Sequence, residues 1–323
     1  MSTDSNSTTE TSTDTESKCG GSTETDSRSS SGGCTANTSD DDLDTSDSTW
    51  EPGERWRSTD VTAGDESEFG SFTVVGLGPG SVEEMTQKAI EALDEADHIV
   101  GYETYVDLLP EKVKEGTEIF STPMCGEVSR TEEAVDRVLD GNDTAIIGSG
   151  DPNVYALGSL SMELLESKGA TPEAVDFDVV AGIPAAQSCG ARLGAPFVND
   201  TVTVSLSDYL TPMPEIESRL HSAAREEFTI VIYNPWSRKR RDNFEKAVEI
   251  LQHHRPDDTP VGIVRDAGRE DEVSKVVPLG ELDDWGETDL ITMTTTLIVG
   301  NDETYVWNDK MVTPRGYHQK YDY

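Results

Sequence analysis

From residue 72 onward, short apolar runs alternate with longer stretches in which apolar residues recur every three or four positions. "FTVV" (72–75) is a β-branched run ending in "GLGPG" (76–80). Residues 82–96 then place Val82, Met85, Ala89, Ile90, Leu93 and Ala96 at roughly helical spacing. The pattern predicts strand, glycine turn, helix and a second strand at "HIVGY". "VDLLPEKV" reads as helix, "EIFSTP" as extended, "RTEEAVDRVLDG" as a helix stopped by Gly141, and "DTAIIGSG" as a strand. A helix over 155–168, a strand at "FDVVAG" and a helix over 185–193 follow. Strands alternating with helices of this length predict a parallel, layered α/β sheet.

Past "LGAPFVND" the pattern changes slightly. "VTVSLS" is a strand, "PEIESRLHSAARE" a helix, "FTIVIYNPWS" a long strand entering a turn, and "RDNFEKAVEILQHH" a helix. "TPVGIVRDAG" is a strand into another glycine turn, and "TTTLIVGNDETYVW" a late helix or strand ending at an edge. The expected architecture is α/β with two lobes, 69–195 and 196–323, and a crevice between them; no internal repeat is visible.

Composition removes the first 68 residues from that scheme. They are dominated by Ser, Thr, Gly, Asp and Glu, with scattered apolar side chains such as Leu43, Trp50 and Trp56. Such a segment buries too little apolar surface to offset its ordering entropy and is expected to be a disordered tail. The net charge is −39; 17 acidic against 4 basic residues in the tail leave −26 on the remainder. An acidic surface of this kind suits a salt-rich setting, where self-repulsion is screened, and points to a salt-loving source. It lacks the positive field that nucleic acid requires. No basic, apolar leader opens the chain and no apolar run reaches membrane-spanning length, so a cytoplasmic protein without a membrane partner is expected. Four cysteines without a C-x-x-C and five histidines without ligand spacing make no metal pattern.

The glycine turns carry the candidate chemistry. "GLGPG" falls short of a dinucleotide fingerprint, because Pro79 removes a backbone N–H where a pyrophosphate needs one. Glu103, 23 residues after Gly80, keeps a ribose-binding acid open. "GSGDP" (148–152) sits at the carboxyl end of a strand, where open α/β sheets bind ligands. Gly148 and Gly150 allow close backbone approach, and Asp151 either accepts ligand hydrogen bonds or caps a helix. No lysine follows, which excludes a P-loop. Tyr233 and Asn234 in "IVIYNP", and Thr294 to Thr296, put polar groups beside apolar strands. "WSRKRRDNF" is a basic island in an acidic body: either solvated residues at a helix start, or a receptor for a polycarboxylate, which arginine forks suit.

Taken together, "VVGLGPG", "IIGSGDPNVY", "AGIPAAQSCGARLGAP", "SLSDYLTP", "VIYNPWSRKR" and "TPRGY" resemble the tetrapyrrole (corrin) methyltransferases over residues 72–320. "SLSDYLTP" with "YNPxSRxR" resembles the precorrin-3B or cobalt-factor III C-17 branch of cobalamin biosynthesis. The resemblance implies two α/β lobes, usually in a homodimer, with S-adenosylmethionine (SAM) between them. The implied cofactor shell is Gly78, Pro79, Ser149, Gly150, Asp151, Val154, Tyr155, Pro184, Ala185, Tyr233, Asn234, Thr294 and Thr295. Pro184 departs from the family's usual threonine, so that hydroxyl contact is either missing or replaced by Ser188. C-17 methylation with contraction of the macrocycle implies a proton-transfer group, for which Asp208 is the candidate. Ser207, Arg238, Arg240, Arg241 and Arg315 are the implied contacts to the tetrapyrrole and its carboxylate arms. The competing readings are another corrin methyltransferase, a nicotinamide-dependent oxidoreductase and a non-catalytic corrinoid carrier.

Overall fold

The computed structural model describes residues 69–123, 125–170, 174–237 and 241–322; the expected tail lies outside them. Five strands, β1 (Phe72–Gly76), β2 (His98–Tyr102), β3 (Glu118–Thr122), β4 (Thr144–Gly148) and β5 (Phe177–Val180), form an all-parallel sheet in the order β3-β2-β4-β1-β5. Between them run α1 (Gln87–Glu95), α2 (Glu103–Val106), α3 (Glu111–Gly116), α4 (Glu127–Leu139) and α5 (Gly158–Ser167). Both faces of this sheet are covered, which is why its central strands β1, β2 and β4 are apolar at consecutive positions. Val75, Ile99 and Ile147 pack with Ala89 and Leu93 of α1, while Val74, Val100 and Ile146 pack with Val135 and Val138 of α4 and Leu165 of α5.

A second sheet is mixed, contrary to the parallel pattern expected throughout. It comprises β7 (Thr201–Ser205), β8 (Thr229–Tyr233), β9 (Pro260–Arg265), β10 (Val273–Pro278) and β11 (Thr295–Val299), ordered β10-β9-β11-β8-β7. Only β7 and β8 pair in parallel; β11 inserts antiparallel between β8 and β9, and β10 closes on β9 as a hairpin. One face carries α7 (Met213–Arg225), α8 (Arg241–His254) and α9 (Leu282–Gly286), with Leu220, Phe244 and Leu251 against Ile230, Ile232 and Ile263. The other face carries α6 (Ala185–Leu193), whose Ala186, Cys189 and Leu193 meet Val231, Val264 and Ile298. Thus α6, entered from β5 of the first sheet, packs against the second and carries its first residues to the junction of the two. A small third sheet joins β12 (Tyr305–Trp307) and β13 (Lys310–Val312) to β6 (Gly194–Ala195).

Two helices differ from the periodicity for local reasons. The helix expected over 82–96 begins only at Gln87, because the Thr86 hydroxyl accepts a hydrogen bond from the N–H of Ala89 (3.1 Å) and fixes the start there. The helix expected over "VDLLPEKV" is divided by Pro110, which ends the α2 region and opens α3.

Candidate functional site

Strands β1 and β4 are neighbours in parallel register, Gly76 opposite Gly148, so the two glycine turns that follow them emerge side by side. They pair through their backbones: Gly78 N–H donates to Gly150 O (3.1 Å) and Gly150 N–H to Gly78 O (2.7 Å). Both glycines have positive φ, +76° and +69°, which L side chains adopt only at a cost. Gly182, after β5, completes the stack; a Cβ there would lie 2.0 Å from Gly150 O. Gly148 differs, since a Cβ on it would meet nothing within 4 Å.

Asp151 is a fastener within this arrangement. Its Oδ1 accepts from the N–H of Asn153 (2.8 Å) and its Oδ2 from the N–H of Gly182 (3.2 Å). From the second sheet, Tyr233 and Asn234 leave β8, with Asn234 at φ +49° donating through Nδ2 to Ser205 Oγ (3.1 Å). The Tyr233 hydroxyl accepts from the N–H of Ala186 (2.9 Å), and burial pushes its phenol up to about 12. Tyr155, itself at φ +52°, sets its ring 5.2 Å from that of Tyr233 and donates to Thr203 O (3.1 Å).

Between the two sheets these residues enclose a cavity of about 440 Å³, within the range of about 300–1,000 Å³ common for small-molecule sites. Every residue of the expected cofactor shell lines it, from Gly78 and Pro79 through Tyr233 and Asn234 to Thr294 and Thr295. Residues that sequence reasoning missed share its wall: Tyr102, Tyr105, Glu127 and Arg130 from the first sheet's side, Asp266 and Arg269 from the second's. Ser188, offered as a replacement for the hydroxyl absent at Pro184, does not line it. Its Oγ is buried without a hydrogen-bond partner among the described residues. Cys189, one position on, does reach the wall, and burial raises its thiol to about 11.

None of the remaining candidates among the described residues lines the cavity. Asp208 and Arg315 are exposed, and Arg315 donates to Asn199 Oδ1 (3.0 Å). Ser207 donates its N–H to Ser205 Oγ (3.2 Å). Arg241 pairs with Glu245 (2.8 Å) and Glu287 beside a separate hollow under α8 and α9. Arg238 and Arg240 fall outside the described residues. Glu103, the ribose-binding candidate, is exposed at the start of α2 and does not line the cavity.

An ion-pair cluster ties the two sides of the cavity together. Arg192 of α6 makes a bidentate pair with Glu84 (2.8 Å to each oxygen), just past the first glycine turn, and a third bond to Glu272 (2.8 Å). Glu272 also accepts from the N–H of Gly268 (2.8 Å). The guanidinium holds the Glu84 carboxyl below the usual glutamate range against burial; at Glu272 burial pushes upward, and the Gly268 N–H together with the guanidinium outweighs it and lowers the carboxyl. Elsewhere, His221 and His254, distant in sequence, meet at 2.9 Å between ring nitrogens. No group of three or more His, Cys, Asp or Glu among the described residues is placed to hold a metal ion.

Residues 71–283 match the tetrapyrrole (corrin/porphyrin) methylases. The chain belongs to that family. A cobalt-factor III methyltransferase of Priestia megaterium is 44% identical over 253 residues, covering 78% of this chain and 46% of its own length. The chain therefore spans about half the length of that relative. It covers 99% of a probable cobalt-factor III C(17)-methyltransferase of Salmonella typhimurium at 38% identity, over 76% of its own length. The crystal structure of the methyltransferase CobJ superposes with a TM-score of 0.68 at 32% identity, covering 76% of this chain and 100% of that one. No helix among the described residues is long and apolar enough to cross a membrane.

Proposed function

We propose that this methylase transfers a methyl group from SAM to C-17 of a cobalt-factor III or precorrin-3B macrocycle in cobalamin biosynthesis, coupled to ring contraction. The observation that carries the proposal is the convergence of the glycine turns after β1 and β4, the start of α6, the exit of β8 and Thr294–Thr295 on one cavity. The residues present fit the donor. Pro79, Val154, Ala185 and Met293 give apolar wall, Ser149 and Thr294 give hydroxyls, and the glycine turns leave room for a ligand against the backbone.

Bound there, SAM supplies a sulfonium-activated methyl group, and the protein's main task is alignment. The paired backbones of Gly78 and Gly150 form a fixed floor. Tyr233, tied to Ala186, braces the opposite wall through its buried phenol. Asp208 is the proposed proton-transfer group for ring contraction, and Ser207, Arg238, Arg240, Arg241 and Arg315 the proposed contacts to the macrocycle. For Arg241 this entails exchange of its present carboxylates, Glu245 and Glu287, for those of the substrate.

The homodimer belongs to the same proposal, supported by the exposed apolar side chains Leu210 and Trp307 on the second lobe. So do the cytoplasmic, salt-rich setting and the absence of nucleic-acid partners, supported by the net charge of −39. The donor assignment is tested by thermal unfolding with S-adenosylhomocysteine (SAH) or with NAD. SAH is expected to raise Tm; a rise with NAD alone would restore the oxidoreductase reading.

A further inference from the structure

Arg130, on the first turn of α4, is 4% exposed, yet no carboxylate lies within hydrogen-bond distance of it among the described residues. Its Nη1 donates to the Thr122 hydroxyl (2.7 Å), a neutral partner, and its Nη2 stands 4.0 Å from Glu127 Oε1. Its Nε is buried with no hydrogen-bond partner among the described residues, and burial lowers its proton affinity below that of an ordinary arginine. The Tyr102 ring lies 5.9 Å from the guanidinium carbon. A desolvated guanidinium left this poorly paired is costly unless something else neutralises it.

That something has a direction to come from. Arg130 forms part of the cavity wall, beside Tyr102, Tyr105 and Glu127 and on the β2–β3 side of the sheet. The glycine turns assigned to the donor follow β1 and β4 instead. We propose that Arg130 is a carboxylate-binding residue of the macrocycle subsite, receiving an acetate or propionate arm. Its planar fork has donor capacity that Thr122 leaves unused, and a carboxylate accepts two parallel N–H bonds from such a fork. Glu127 is then a tuning residue: its carboxylate occupies the same field and competes with the incoming arm. The inference rests on the methyltransferase reading of the cavity and adds to the basic residues already assigned there an anchor on the opposite lobe.

The test is a pair of equilibrium titrations of the full chain, one with SAH and one with uroporphyrin, an octacarboxylate tetrapyrrole, in the presence of saturating SAH. Arg130→Gln is expected to weaken uroporphyrin binding about tenfold or more while leaving SAH affinity within about twofold. Arg130→Lys is expected to recover part of the loss. Glu127→Gln, at a half-exposed position that does not endanger folding, is expected to tighten uroporphyrin binding. Unchanged uroporphyrin affinity in Arg130→Gln, or weaker binding in Glu127→Gln, overturns the subsite and leaves the methyltransferase reading standing. Loss of SAH affinity without loss of uroporphyrin affinity also overturns it, because the carboxylate received is then that of the donor's amino-acid end. A wild-type protein that binds SAH but no uroporphyrin at all overturns both the subsite and the macrocycle assignment.

Discussion

The hydroxyl of Tyr233 accepts a hydrogen bond from the backbone N–H of Ala186 at 2.9 Å. This single contact joins the exit of β8 to the first turn of α6, the two elements that bring the second sheet's side of the cavity together. A helix's first N–H groups lack intrahelical partners, and Pro184 at the N-cap supplies no side-chain acceptor. Tyr233 fills that role from another element. Tyr233→Phe is expected to lose about 1–3 kcal/mol of stability, because it leaves a partly buried N–H unpaired. It is also expected to weaken SAH binding severalfold. Thermal unfolding and calorimetric titration read the two effects separately.

Pro184→Thr tests the same corner from the other side. The backbone at Pro184 is extended (φ −71°, ψ 159°), a conformation that suits a capping threonine. The substitution is expected to add about 0.5–1 kcal/mol of helix-capping stability and to tighten SAH binding by a few fold. An unchanged Tm together with unchanged SAH affinity would show that the hydroxyl has no role at this position.

Two glycines of the cavity predict opposite outcomes for one substitution. Gly182→Ala sets a Cβ 2.0 Å from Gly150 O, which the paired turns cannot yield to without moving, and is expected to cost about 1–3 kcal/mol or more. Gly148→Ala places its methyl in open space within the cavity. It is expected to keep wild-type stability while reducing SAH affinity. A stability loss at Gly148 equal to that at Gly182 would contradict this division between packing and ligand space.

The Arg192 cluster predicts an acid-side dependence. Glu84 and Glu272 have folded-state proton affinities below the ordinary glutamate value of 4.5. The stability they contribute is therefore fully present well above pH 4.5 and fades as pH falls through the lowered folded values. Arg192→Gln is expected to lower stability at pH 7 by about 1–3 kcal/mol and to flatten the loss below about pH 4.5. Urea unfolding at a series of pH values measures both. Because the cluster is partly shielded from solvent, 18% exposure for Arg192 against 28% and 32% for its partners, added salt is expected to weaken it only modestly.

How much of each element its own sequence encodes depends on the range of the interactions that fix it. Helix α6 was legible to the residue, because "AAQSCGARL" combines an apolar stripe with a bounding Pro184 and Gly194. The first strands and glycine turns were legible for the same local reasons. The antiparallel insertion of β11 between β8 and β9 was not, since nothing within either run encodes its distant partner. Strand β10 escaped notice because Val273 to Lys275 are exposed and show no apolar run. On the cavity wall, the positions defined by backbone geometry were readable from Gly and Pro spacing. Arg130 was not, because a charged residue in "GEVSRTEEAVDRV" looks like the solvated face of a helix until the fold buries it.

The most direct measurement is a single-turnover incubation, in high salt and without oxygen, of the protein with methyl-labelled SAM and cobalt-factor III, and in parallel with precorrin-3B. Mass spectrometry and NMR of the recovered macrocycle give the readout. One labelled methyl, located at C-17, is expected on at least one of the two substrates. A folded protein that binds SAH yet transfers label to neither, or places it at another ring carbon, would contradict the proposed reaction.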